Sequence, residues 1–354
     1  MPHHASRPGT HPGPQAAKEN RVLPPGPLLR CVTGLITSLT IERFKSVRPL
    51  ELSCRRINLF IGEPNTGKSN ILEALGLLSW TGWPETPLSQ FVRSPLTQYL
   101  FYDGLTDEPI QIAWKEPSPG TLTIRFENSR FIVDINKQQI CTLDFQGNPR
   151  FGPGTQRLSW IRFYRYAPLR KFDRAEPGIL IPPHGPNLFS VLYSSKALRE
   201  WTGELFQPYG LAIVFKPHER TIELQKTQQG VVISYPLDAC SDTLRRLLFY
   251  KAAMSRGQEG VLVFEEPEAH AFPYYTKYLG EQIASDPSNQ YFLATHNPYF
   301  LAAVLEKAPR QDVAVFATRY ENHETMVTLL TDEQIQRLME ADPFLGLSTI
   351  LEGD

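Results

Sequence analysis

Cysteine is scarce in this chain: four in 354 residues, Cys31, Cys54, Cys141 and Cys240, with no CxxC pair and no Cys/His cluster. That scatter argues against a disulfide framework and a zinc site, and fits reduced thiols in a cytoplasmic protein. No apolar run approaches the roughly 20 residues a membrane helix needs, and the N-terminus lacks an apolar signal core. The expectation is a chain that neither spans a membrane nor is secreted. Neither sign of charge is in excess: 36 Lys and Arg stand against 37 Asp and Glu. Bulk charge therefore gives no ground for indiscriminate nucleic-acid binding. Internal repeats and heptad runs are missing too. What is present is an apolar fraction of 41%, enough to fill the core of one large α/β domain or two ordinary ones.

Residues 1–33 are rich in Pro, Gly and His with almost no aliphatic periodicity, and read as a disordered tail. His3, His4 and His11 belong to that tail and receive no metal role. From Leu35 short apolar runs begin, and Leu39–Phe44, Leu50–Leu52 and Ile57–Ile61 predict three strands. Ser69–Leu78 is apolar at helical spacing. The stretch 80–235 holds β-like segments (Thr121–Phe126, Phe131–Ile135, Ile140–Phe145, Ile161–Tyr166) and a helical pattern near Leu188–Leu205. It reads as a mostly antiparallel insertion. The last third alternates: helix Asp242–Met254, strand Val261–Phe264, helix Tyr274–Ala284, strand Tyr291–Ala294, helix Tyr299–Leu305, strand Val313–Thr318 and helix Asp332–Met339. The predicted fold class is α/β, with a mainly parallel core sheet, an antiparallel β lobe and an inserted α/β region, all within residues 34–354.

Gly62-Glu63-Pro64-Asn65-Thr66-Gly67-Lys68-Ser69 fits the GxxxxGK[ST] phosphate loop, and it stands after an apolar strand and before a helix. Two glycines let the backbone curl so that amide N–H groups face phosphate oxygens, and the following helix adds its positive end. Lys68 is placed to reach the β- and γ-phosphates of ATP, and Ser69 to ligate Mg2+. Asn70 follows directly and is grouped with the nucleotide-binding residues.

Val261-Leu-Val-Phe-Glu265-Glu266 is an apolar strand ending in two carboxylates. Side chains alternate on a strand, so adjacent acids can do different work: Glu265 in the Mg2+ shell, Glu266 orienting or deprotonating the attacking water. His296 ends the apolar strand Tyr291–Thr295, thirty residues past Glu266. That gap holds one helix and one strand, which puts His296 on a neighbouring strand as a sensor of the γ-phosphate. Ser241 and Asp242 cap an apolar helix just before the carboxylate strand.

With these residues in view the chain resembles the predicted ATPases of the RecF/SMC/OLD-like group, of AAA or ABC type. The resemblance rests on Ile41-Glu-Arg-Phe-Lys45-Ser46, the Gly62–Ser69 loop with Asn70-Ile-Leu-Glu-Ala, and Ser241-Asp-Thr-Leu. It rests also on Phe264-Glu-Glu-Pro-Glu-Ala-His270 and Ala294-Thr-His-Asn-Pro-Tyr-Phe-Leu301. It implies an ABC-ATPase-head-like phosphate-loop fold and a homodimer closing head to tail around two ATP molecules. Each ATP would lie between Lys68 of one copy and Ser241 of the other, with Ala269–Pro273 crossing the interface. Roles in DNA repair or in defence against phages and plasmids are implied as well, with DNA or an effector protein as partner. Pro182–Leu188 resembles a family element without assigned chemistry, and Gln90 and Gln98 are the candidates for the glutamine that couples nucleotide to the lobes.

Absences narrow this further. About 170 residues separate Lys68 from Ser241, none reading as a long coiled coil, and fewer than ninety follow Glu266, too few for an appended nuclease. The ATP-hydrolysing subunit of a membrane transporter is the first rival reading, but its glycine-rich signature is missing around Ser241. A non-hydrolysing nucleotide scaffold is the second, and the presence of both Glu265 and Glu266 speaks against it. Arg162, Arg165, Arg170, Lys171 and Arg174 interleave with Phe163, Tyr164 and Tyr166, a run that reads either as a contact to DNA phosphates or as a solvated strand edge.

Overall fold

The computed structural model describes residues 34–152, 157–255 and 259–340. The expected tail, 1–33, lies outside the described residues. Strands β1 (Ser38–Glu42), β2 (Leu50–Ser53) and β3 (Ile57–Ile61) lead into helix α1 (Lys68–Thr81) and the short α2 (Leu88–Phe91). Then come β4 (Ile110–Lys115), β5 (Gly120–Glu127), β6 (Arg130–Ile135), β7 (Gln138–Leu143), β8 (Pro149–Phe151) and β9 (Ile161–Tyr164). Helices α3 (Leu188–Ser194) and α4 (Lys196–Phe206) precede β10 (Ala212–Lys216), β11 (Thr221–Gln228) and β12 (Val231–Pro236). The last third runs α5 (Asp242–Ala253), β13 (Val261–Glu265), α6 (Pro273–Ala284), β14 (Gln290–Ala294), α7 (Pro298–Lys307), β15 (Val313–Glu321), β16 (Glu324–Leu329) and α8 (Asp332–Glu340).

These strands form three sheets. The core sheet has the order β16-β15-β3-β14-β13-β9. Its pairs β15/β3, β3/β14, β14/β13 and β13/β9 are parallel, and only β16 runs antiparallel. A seven-stranded antiparallel sheet has the order β2-β1-β4-β5-β6-β7-β8, and β10-β11-β12 make a sheet of their own. The stretch 80–235, expected as one insertion, is therefore divided. Strands β4–β8 extend the sheet that β1 and β2 begin, whereas β9 pairs in parallel with β13 as an edge of the core sheet. Sequence proximity could not reveal that, because β9 and β13 lie about a hundred residues apart.

Buried on both faces, the core strands read as continuous apolar runs. Alternate residues serve two cores. Leu59, Leu262, Leu293 and Val315 point into one cluster, with α3, α5, α6 and α7. Phe60, Val263, Phe292 and Phe316 point into the other, with α1 and the antiparallel sheet. Each fully buried side chain of this kind contributes about 1.5–3 kcal/mol, so the parallel strands are rigidly held. Their C-terminal ends share one edge of the sheet, where ligands of open α/β sheets bind.

Candidate functional site

That edge presents, in sheet order, Thr318 on β15, Gly62 after β3, Thr295 after β14, Glu265 on β13 and Arg165 after β9. Register fixes the arrangement: Glu265 pairs with Ala294, and Ala294 with Phe60. Gly62, Glu265, Glu266 and His296, far apart in sequence, thus fall at or just after neighbouring strand ends, whereas Ser241 stands at the start of α5.

The Gly62–Ser69 loop is shaped by packing as well as by glycine freedom. Gly67 has φ +95, and a Cβ there would stand 1.9 Å from the Thr325 hydroxyl; at Gly62 it would stand 2.4 Å from the Thr318 carbonyl. Thr66 Oγ1 bonds Thr318 Oγ1 at 2.7 Å and donates to the Glu63 carbonyl at 2.9 Å. Strand β15 and its partner β16 thereby buttress the loop. Among the described residues no main-chain acceptor pairs with the amides of Asn65, Thr66 or Gly67. Helix α1 begins at Lys68 with no acidic residue in its first turn, so its unpaired N–H groups and positive end are not neutralised locally. Glu63, Pro64 and Asn65 form the exposed lip of the loop.

Lys68 is 5% exposed. Its ammonium folds back onto the Gly62 carbonyl at 2.9 Å, the Glu63 carbonyl at 2.6 Å and Thr66 Oγ1 at 3.3 Å. Burial pushes its pKa down to about 8, against the opposing pull of Glu266 and Glu63. Asn70, expected beside the nucleotide, donates instead to Ser46 Oγ at 2.7 Å. Ser46 in turn bonds Thr325, so Asn70 braces the loop against the β1–β2 turn and β16.

The two carboxylates separate as strand geometry requires. Glu266 has φ 45, uncommon for a residue with a side chain, and its N–H is pinned to the Ala294 carbonyl at 3.1 Å. Its carboxylate lies 3.5 Å from His296 Nε2. Burial and the charge of Lys68 hold His296 below the ordinary histidine pKa, with Glu266 opposing. The turn carrying His296 is fixed by Asn297, whose side chain caps α7 by accepting from the amides of Tyr299 and Phe300. Thr295 ties the two loops together: its hydroxyl accepts from the Asn297 amide at 3.0 Å and donates to the buried Glu268. Burial raises Glu268 to about 7, and its second oxygen has no partner.

Glu265 sits in a network that sequence reasoning missed. Its Oε1 accepts from Arg93 Nη2 at 2.7 Å and its Oε2 from Arg165 Nε at 2.6 Å, and the nearby Ser69 hydroxyl favours its ionised form. Burial works to raise its pKa, but Arg165 and Arg93 overcome that and hold it low. Behind it the fully buried Glu73 of α1 binds Arg93 Nε at 2.7 Å, Arg165 Nη2 at 2.9 Å and the Lys45 ammonium. Burial pushes the Lys45 pKa down, with Glu73 opposing. Only a buried glutamate among the apolar residues of α1 hinted at this cluster.

Within the basic run Arg170 and Lys171 are exposed, whereas Arg162 is buried and Arg165 and Arg174 are half-buried. Arg162 bonds Asn289, Arg165 belongs to the network, Arg170 pairs with Asp238, and Arg174 pairs with Glu85 and Glu176. Gln90 reaches the network through its carbonyl, 3.4 Å from Arg165 Nη1, whereas the Gln98 carbonyl closes a turn with Phe101. Ser241 is exposed and caps α5 by accepting from the Leu244 amide. Within Pro182–Leu188 the buried Asn187 accepts from the Ile181 amide and donates to the carbonyls of Glu176 and Ile179. His184 Nδ1 lies 2.7 Å from the Arg165 carbonyl, so this segment is a strap behind Arg165.

No protein-family model matches the chain, and no curated protein sequence matches it. Solved structures do. An Smc head bound to the C-winged helix domain of ScpA superimposes with a TM-score of 0.52 at 13% identity, over 85% of this chain and 99% of that one. An Smc head with an extended coiled coil, bound to the C-terminal domain of ScpA derived from Pyrococcus furiosus, gives 0.52 at 12% identity, over 87% and 99%. The chain has the fold of an SMC head domain. Among the described residues its longest helix, α1, has 14 residues, and none forms a coiled-coil arm. No helix among them is long and apolar enough to cross a membrane.

Proposed function

We propose that the chain binds ATP with Mg2+ and hydrolyses it, as a head that closes in a homodimer around the nucleotide. One observation carries this reading: a single sheet edge of an SMC-head fold gathers Lys68, Ser69 beside Glu265, and the pair Glu266–His296. Gly62–Gly67, with unpaired amides and a helix start, suits a polyphosphate. The Lys68 ammonium, now satisfied by loop oxygens, would exchange them for phosphate oxygens.

Ser69 and Glu265 fit Mg2+ as hard oxygen donors. Two protein ligands are usual for this ion, which takes the rest of its shell from phosphates and water. When bound, it would neutralise charge on the phosphates. Glu266 then orients or deprotonates the attacking water, and His296, in contact with Glu266, senses the γ-phosphate. Ser241 is assigned to the second copy's nucleotide, the loop Ala269–Pro273 to the interface between the copies, and Asn70 to the nucleotide side of the loop that it also braces through Ser46. The output is proposed to reach a partner protein or DNA, in repair or in defence. That the neighbouring SMC heads were solved with ScpA supports a protein partner.

Steady-state ATP hydrolysis in Mg2+ tests the reading. Glu266→Gln is expected to lower turnover about 10²- to 10⁴-fold, the usual contribution of a general base, while ATP still binds. Turnover unaffected by Glu266→Gln would remove Glu266 from the mechanism.

A further inference from the structure

Glu265 is the carboxylate a divalent cation would need, yet guanidinium groups hold both of its oxygens. The two arginines are not equivalent. Arg165 is fixed: its side chain is 21% exposed, its Nε, Nη1 and Nη2 all have acceptors, and its plane lies over Phe163 at 5.1 Å. Its main chain is pinned by Pro183 and His184. Arg93 is 55% exposed and follows α2 on a loop. Its amide and Nε bond Glu73 and its carbonyl accepts from Lys45, so its base is anchored while Nη2 reaches out to Glu265.

Resting on the nucleotide-site reading above, we propose that Arg93 is a gate on Glu265. Its guanidinium competes with a divalent cation for Oε1, and must swing away before the cation is held. Charge supports the competition. Lys45, Arg93 and Arg165 already bring three positive charges against the two of Glu73 and Glu265. A divalent cation arriving at Glu265 adds two more, and the strain is relieved by moving the one exposed guanidinium. The Nε–Glu73 bond provides the pivot, so the swing requires no main-chain movement. Arg93 is thus a positioning residue, setting when Glu265 is available rather than touching the reacting atoms.

The test measures ADP affinity of the 354-residue chain by calorimetry, with and without Mg2+, for the wild type, Arg93→Met, Arg93→Gln and Glu265→Gln. The ratio of the two affinities reports the coupling of metal to nucleotide and requires no turnover. Losing a charge-assisted competitor should raise that ratio about ten- to a hundredfold in Arg93→Met. Arg93→Gln keeps a neutral donor and should shift it the same way, and Glu265→Gln should lower it. A ratio unchanged or lowered in both Arg93 variants, with ADP still binding, overturns the gate. Failure of ADP to bind even the wild type overturns the nucleotide-site reading itself, and the gate with it.

Discussion

At pH 8, Glu268→Gln should make the protein more stable by about 3 kcal/mol. The Glu268 side chain is buried between the loops that carry Glu266 and His296, one oxygen held by Thr295 and the other without a partner. Burial, with a smaller push from Glu266, moves the carboxyl from an ordinary 4.5 to about 7, despite the Thr295 bond. A carboxyl raised in the folded state binds its proton more tightly there than in the unfolded chain. Its stabilising contribution is therefore full below pH 4.5 and lost as pH rises to about 7. Glutamine mimics the neutral form at every pH and can still accept from Thr295. The gain should be near zero at pH 4.5, grow to pH 7 and level off, at about 1.4 kcal/mol per pH unit between. Guanidinium unfolding midpoints of both proteins from pH 4.5 to 8.5 measure the difference, in which all other titrating groups cancel. A difference that does not change with pH, or a variant less stable at pH 8, would refute the account of Glu268.

Two further outcomes follow from the same structure. ATP affinity should weaken as pH rises above about 8, where Lys68 loses its proton in the free protein, by up to about tenfold per pH unit. Fluorescent-nucleotide titrations from pH 7 to 9.5 check this, and Lys68→Arg should flatten the profile. Asn187→Ala should destabilise by about 2–4 kcal/mol, because it leaves the Ile181 amide and the carbonyls of Glu176 and Ile179 without their side-chain partner. Denaturant unfolding gives the value, and a loss under about 0.5 kcal/mol would remove Asn187 as the clasp of its strap.

Most of the α/β alternation after Asp242 was legible in the sequence as apolar runs of the right period bounded by turn residues, but β16 was missed, because its polar, half-exposed residues show no apolar run. So was the convergence of Lys68, Glu265, Glu266 and His296, because strands buried on both faces and followed by helices must run parallel and present their ends together. Polar partnership across long separations was not. Glu265 finds Arg93 at a distance of 172 residues and Arg165 at 100. Nothing local at Arg93 marks it as a partner of the carboxylate strand. Strand β12 was missed because most of it is exposed, so its pattern lacks a buried face. The bond from Asn70 to Ser46 was not legible either, because the β1–β2 turn packs on the loop from outside the motif.

Whether the strand edge hydrolyses ATP between two copies of the chain is decided by the mass of Glu266→Gln by light scattering with Mg2+ATP, beside wild-type turnover. The wild type should turn over ATP while Glu266→Gln stays trapped as an ATP-bound dimer. A wild type that neither hydrolyses ATP nor dimerises with it, and a variant that remains monomeric, would show that the edge is not an ATPase site shared by two copies.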